Sequence, residues 1–217
     1  MHIASPPPMR YPMCGGQELR SISSDYIDKI MTRNEILDDV VDQLLTTAVT
    51  QREYTRSIAY VVVLMSNIFR KRNCDENLRK HFLQKFCHSA ISEFENYDWK
   101  NASEDNYELG SEYSSIDALA LSALIGDLIS LRLISYNRFK ALMGLLICRI
   151  EICLHVECVH TLLSHAAARP TPEMASPFLY QCIRTVRRRT NLCIVPRINR
   201  FVRVVSAVSR IPTNEIL

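Results

Sequence analysis

The run from Ile116 to Ile150, IDALALSALIGDLISLRLISYNRFKALMGLLICRI, leaves the chain little choice of fold. Its first half sets Leu121, Leu124, Ile125, Leu128 and Leu131 three or four residues apart, which is one face of an α-helix. Ser135 then interrupts the run as an N-cap, because its hydroxyl accepts from a free backbone N–H. The second half repeats the pattern with Phe139, Leu142, Met143, Leu146, Ile147 and Ile150. Two apolar-faced helices on so short a link are expected to fold back as an antiparallel pair. Neither buries its face alone, so further pairs must stack on both sides, with this hairpin at the middle of an all-α stack.

The flanking sequence supplies such pairs. Residues 1–18 carry Pro6, Pro7, Pro8, Pro12, Gly15 and Gly16 and read as a flexible leader. A short helix is expected over Leu19 to Met31. Asn34 is expected to cap the next, with Leu37, Val40, Val41, Leu44, Leu45 and Ala48 as its buried stripe. A break near Thr50 and Gln51 leads to a helix from Glu53 to Arg70, apolar nearly all round and therefore covered on both sides. Asp75 suits the N-cap of another, in which Leu78, Phe82, Phe86, Ala90 and Phe94 recur at every fourth position.

Trp99 to Ser115 is acidic and polar and reads as a long surface loop. Beyond the central pair, Val156, Val159, Leu162, Leu163 and Ala166 mark a helix that must stop before Arg169-Pro170. Pro177 and Pro196 open two more, and Pro212 ends the last, leaving 212–217 as a tail. Degenerate helix pairs of this period indicate a HEAT-like α-α superhelix of about five antiparallel pairs over 19–211. A closed helical bundle is the alternative. The 217 residues, nearly half of them apolar, suffice for one domain with a sizeable core.

The net charge of +3 selects no partner, but its distribution is uneven. Glu104, Asp105, Glu108 and Glu112 lie in the acidic loop and form a candidate partner-binding surface. Arg184, Arg187, Arg188, Arg189, Arg197, Arg200 and Arg203 fall in a C-terminal stretch without a carboxylate, a candidate RNA-binding surface. Few aromatics accompany these arginines, so base stacking is not expected. As a plain structural matter, such charges also solvate helix surfaces.

Eight cysteines fall mostly on apolar helical faces, and the N-terminal MHIASPPPMRYPM lacks the apolar core of a signal peptide. The thiols are read as reduced, in a cytosolic or nuclear protein. No apolar run is long enough for a membrane span. Cys148, Cys153, His155, Cys158 and His160 resemble a metal set in composition only. Steps of five residues on a helix turn each thiol about 140° from the last, so no metal is expected. His81 and Cys87 are on different faces of one helix, and no phosphate loop, G-x-S-x-G or H-E-x-x-H occurs, so neither an enzyme nor a cofactor is expected.

Five stretches, in order, resemble the middle domain of eukaryotic translation initiation factor 4 gamma. They are NEILDDVVDQLLTTAVTQREYTRSIAYVVVLM (34–65), NLRKHFLQKFCHSAISEFEN (77–96), LIGDLISLRLISYNRFKALMGLL (124–146), ECVHTLLSHA (157–166) and IVPRINRFVRVVSAV near the C-terminus. The third is similar to the family's Phe-Ile-Gly-Glu-Leu run, with Leu124 for the aromatic and Asp127 for the glutamate. The likeness spans about residues 20 to 210 and lies mostly in apolar spacing. The cap-binding-protein motif, Tyr-x-x-x-x-Leu-Φ, follows none of the nine tyrosines. The resemblance implies a non-catalytic cytoplasmic scaffold that docks a DEAD-box RNA helicase of the factor 4A type, with RNA and other initiation factors as further partners. The alternatives are an RNA-binding adaptor of the same superfamily, in cap binding, decay or splicing, and a generic HEAT-like interaction module.

Overall fold

The computed structural model describes residues 16–32, 37–72, 74–99, 117–148 and 153–166, together with Phe178, Gln181, Cys182, Arg184 and Thr185. The described residues form seven α-helices and no strand: α1 (Gly16–Thr32), α2 (Leu37–Thr50), α3 (Thr55–Lys71), α4 (Glu76–Asn96), α5 (Ala118–Ser130), α6 (Tyr136–Cys148) and α7 (Cys153–Ala166). A single 3-10 turn, Arg52–Tyr54, links α2 to α3. The fold is all-α. α1 begins at Gly16, so residues 16–18 belong to a helix and not to the expected leader. Residues 33–36, with the expected Asn34 cap, lie outside the described residues.

Local chemistry accounts for the helix starts. Asp75 accepts from the Asn77 N–H at 2.9 Å and caps α4. Asp117 accepts from Leu119 and Ala120 at 2.7 and 3.2 Å and caps α5, while its own N–H reaches Val49 O at the end of α2. Ser135 caps α6 as expected, accepting from the Arg138 N–H at 3.4 Å. The buried Thr55 hydroxyl, within reach of Ala48 O at 3.1 Å and Arg52 O at 2.9 Å, ties the start of α3 to the end of α2.

Expected stripes become the core. Leu37, Val40, Val41, Leu44, Leu45 and Ala48 of α2 are buried, as are Phe82, Phe86, Ala90 and Phe94 of α4 and Val156, Val159, Leu162, Leu163 and Ala166 of α7. α3 packs against α1, α2, α4 and α5, so both its sides are covered. Burial of this kind contributes about 1.5–3 kcal/mol for each large aliphatic or aromatic side chain.

Two further expectations fail. α5 buries all thirteen of its residues, not one face, and it does not form a hairpin core with α6. It packs most extensively on α7, then on α3, α2 and α4, while α6 makes its main contacts with α7 and α4. The reason is a stripe of small residues at every fourth position, Ala118, Ser122, Gly126 and Ser130, which lets another backbone approach closely. A Cβ on Gly126 would stand 2.5 Å from Leu162 O and 2.6 Å from His165 Cβ. Ser122 faces Cys158 one turn earlier, so α5 and α7 run in the same direction. In chain order α1, α3, α5 and α7 thus form a row of successive neighbours, with α2 and α4 against it.

The second failure is Trp99, expected in a surface loop and found fully buried. Its Nε1–H donates to Phe94 O at 2.9 Å, and its ring centroid lies 5.1 Å from Phe94 and 4.5 Å from Tyr97. Its carbonyl oxygen is 2.7 Å from Nε2 of the buried His155, which joins the end of α4 to α7. Residues 100–116 lie outside the described residues.

Candidate functional site

Most of the charged residues singled out from sequence fall outside the described residues: Glu104, Asp105, Glu108 and Glu112 in one stretch, Arg187, Arg188, Arg189, Arg197, Arg200 and Arg203 in the other. Arg184 is described and exposed. Four side chains of the apparent metal set, Cys148, His155, Cys158 and His160, have separate surroundings. Cys148 is exposed at the end of α6, Cys158 is buried against Ser122, His155 is bonded to the Trp99 carbonyl, and His160 Nε2 lies 3.5 Å from Ser164 Oγ. Among the described residues no three His, Cys, Asp or Glu side chains could hold one metal ion.

Three thiols are poor nucleophiles, Cys87, Cys158 and Cys182. Burial pushes Cys87 up to about 11 and Cys158 and Cys182 up to about 12, so each is protonated at neutral pH. For Cys158 the nearby Ser122 hydroxyl opposes that rise without cancelling it.

What the fold does assemble is an open groove of about 760 Å³ between α4 and the turn joining α5 to α6. Its floor is aliphatic: Leu83, Cys87 and Ile91 follow one another at every fourth position along α4, and Leu133 and Ile134 meet them from the turn. Cys87 Sγ lies 3.8 Å from Leu133 O and closes the floor at that seam. The rim is basic, with Lys80 and His88 on α4 and Arg132 and Arg138 opposite. Among the described residues no carboxylate lines the groove. Arg138 is held by Glu95 at 2.8 Å, and Lys80 is 4.0 Å from Glu76.

The turn that carries Arg132 has a defined cause. After α5 ends at Ser130, Leu133 N–H donates to Leu128 O and Arg132 N–H to Ile129 O, both at 2.9 Å. This is the Schellman termination, whose middle residue adopts the left-handed conformation usually left to glycine. Here that residue is arginine, at φ 61°. The L side chain is held in this conformation at a backbone cost of about 1–2 kcal/mol. Its guanidinium has no carboxylate within ion-pair distance among the described residues.

Sequence reasoning did not assemble this groove. Lys80 and Arg138 are far apart in the chain, and nothing in their local pattern joins them. One signal was present: Leu83, Cys87 and Ile91 run beside the Phe82, Phe86, Ala90 stripe, so α4 is apolar over a wider arc than a single neighbour covers. An apolar floor with a cationic rim suits recognition of an anionic, partly apolar segment. Comparison of the chain with protein-family models, curated proteins and solved structures gives no match.

Proposed function

We propose that the chain is a non-catalytic helical scaffold of the initiation factor 4 gamma middle-domain type, docking a DEAD-box RNA helicase in cytoplasmic translation initiation. One observation supports this reading most. The run that resembles the family's most recognisable motif, residues 124–146, begins in the fully buried α5 and continues through the turn at 131–135 into α6. A segment built this way holds its exposed turn rigidly, as a scaffold that orients two domains of a partner requires. The test is a titration of the purified chain into a factor 4A-type helicase with RNA and ATP. Saturable binding with a raised ATPase rate is expected. No binding together with an unchanged rate overturns the proposal.

A further inference from the structure

We propose that the groove between α4 and the α5–α6 turn docks an acidic amphipathic helix of a partner protein. The inference uses none of the family resemblance and stands or falls apart from the helicase reading.

Shape sets the first condition. From Lys80 to Ile91 the groove follows α4 for about 16 Å, or three helical turns. Its half-buried Leu83, Cys87 and Ile91 form a stripe at one face of α4, the arrangement that accepts a helix carrying apolar anchors at matching spacing. Leu133 and Ile134 supply the facing wall.

Charge sets the second. Lys80, Arg132 and Arg138 are cations along the rim beside His88. Among the described residues Arg138 pairs with Glu95 and Lys80 lies 4.0 Å from Glu76, Arg132 has no carboxylate within ion-pair distance, and no acid is part of the lining. A partner with carboxylates on either side of its apolar face would meet these groups in register. Arg132 is the telling member. Its place in the turn is one that glycine fills without strain, and arginine there sets a guanidinium at the groove mouth.

A nucleic acid would satisfy the cations and leave the floor uncovered. Among the described residues no aromatic side chain lines the groove to stack with bases, and its floor is apolar. The observations therefore favour a protein helix.

The test uses the full chain and a fluorescein-labelled four-turn peptide with leucines on one face and glutamates on both flanks, read by polarisation. A second peptide carries glutamines for the glutamates, and labelled oligouridylate serves as the nucleic-acid probe. Saturable binding of the acidic peptide is expected. The double substitution Lys80→Glu, Arg132→Glu should weaken it by about tenfold or more, and the glutamine peptide should bind more weakly to the unaltered chain. Ile91→Ser should weaken it without changing its salt dependence. The charge-reversed variant alters exposed side chains, so an unchanged thermal melt separates lost binding from lost folding. Equal affinity in that variant, equal affinity of the two peptides, or saturable binding of oligouridylate with no peptide binding overturns the proposal.

Discussion

Oδ2 of Asp127 lies 2.9 Å from Nδ1 of His165, with the carboxylate side chain 3% exposed and the imidazole 30% exposed. An ionised carboxylate only accepts, so Nδ1 carries the proton in this pair. The contact joins α5 to α7 beside Gly126, where the α7 backbone approaches closely. Removing the histidine leaves a buried carboxylate without this donor. His165→Ala should therefore cost about 3 kcal/mol in urea unfolding at neutral pH. Asp127→Asn keeps an acceptor for Nδ1–H and should cost less, about 1 kcal/mol. Equal costs for the two substitutions would show that the charge of Asp127 is unimportant.

Two glycines give opposite expectations. At Gly126 a methyl group would collide with Leu162 O and His165 Cβ and crowd Ala166 N at 3.1 Å, most of it backbone that cannot swing away. Gly126→Ala should destabilise by about 3 kcal/mol through forced separation of α5 and α7. At Gly144, inside α6, a methyl group meets nothing within 4 Å. Gly144→Ala should stabilise by about 0.5–1 kcal/mol, because alanine loses less backbone freedom in a helix. Denaturant midpoints of the pair measure both.

The left-handed Arg132 gives a third. Arg132→Gly should raise stability by about 1 kcal/mol by removing the clash between Cβ and the following carbonyl. The same substitution should weaken binding of an acidic peptide in the groove. Gains in melting temperature with loss of affinity would identify a residue kept for recognition at some expense to folding.

A fourth concerns alkaline pH. Burial raises Cys158 and Cys182 from 9.0 to about 12 and Tyr26 from 10.0 to about 12. Each group keeps its proton in the folded chain after the unfolded chain has released it. The stability these groups contribute is present below about pH 9 and is lost as pH rises toward about 12. Melting temperature should thus fall progressively above pH 9, and Cys158→Ala should make that fall shallower while lowering stability at neutral pH. A slope unchanged by Cys158→Ala would remove the thiol from the account.

The parts of the fold readable from sequence were those set by one helix and its nearest residues. Asp75 and Ser135 were legible as caps because a cap acts within three residues. The α2 and α7 stripes and the Phe82, Phe86, Ala90, Phe94 row were legible because burial on one face imposes a period. α5 was misread for a related reason. Leu121, Leu124, Ile125 and Leu128 define a face, and only the small residues Ser122, Gly126 and Ser130 between them reveal a second close neighbour. That face belongs to α7, so the short link to α6 misdirected the pairing. Trp99 was lost to the acidic composition of the residues after it. The groove was not readable, since Lys80, Arg132 and Arg138 converge only through packing of α4 beside the turn.

The placement of Trp99 has an optical consequence. It is the one indole in the chain, wedged where the end of α4 meets His155 of α7. Its intrinsic emission therefore reads a single seam of the molecule, without any attached dye. Lifting α7 away would admit water to the ring and shift the emission to longer wavelength, whereas fraying of α1 at the far end of the row would leave the spectrum unmoved.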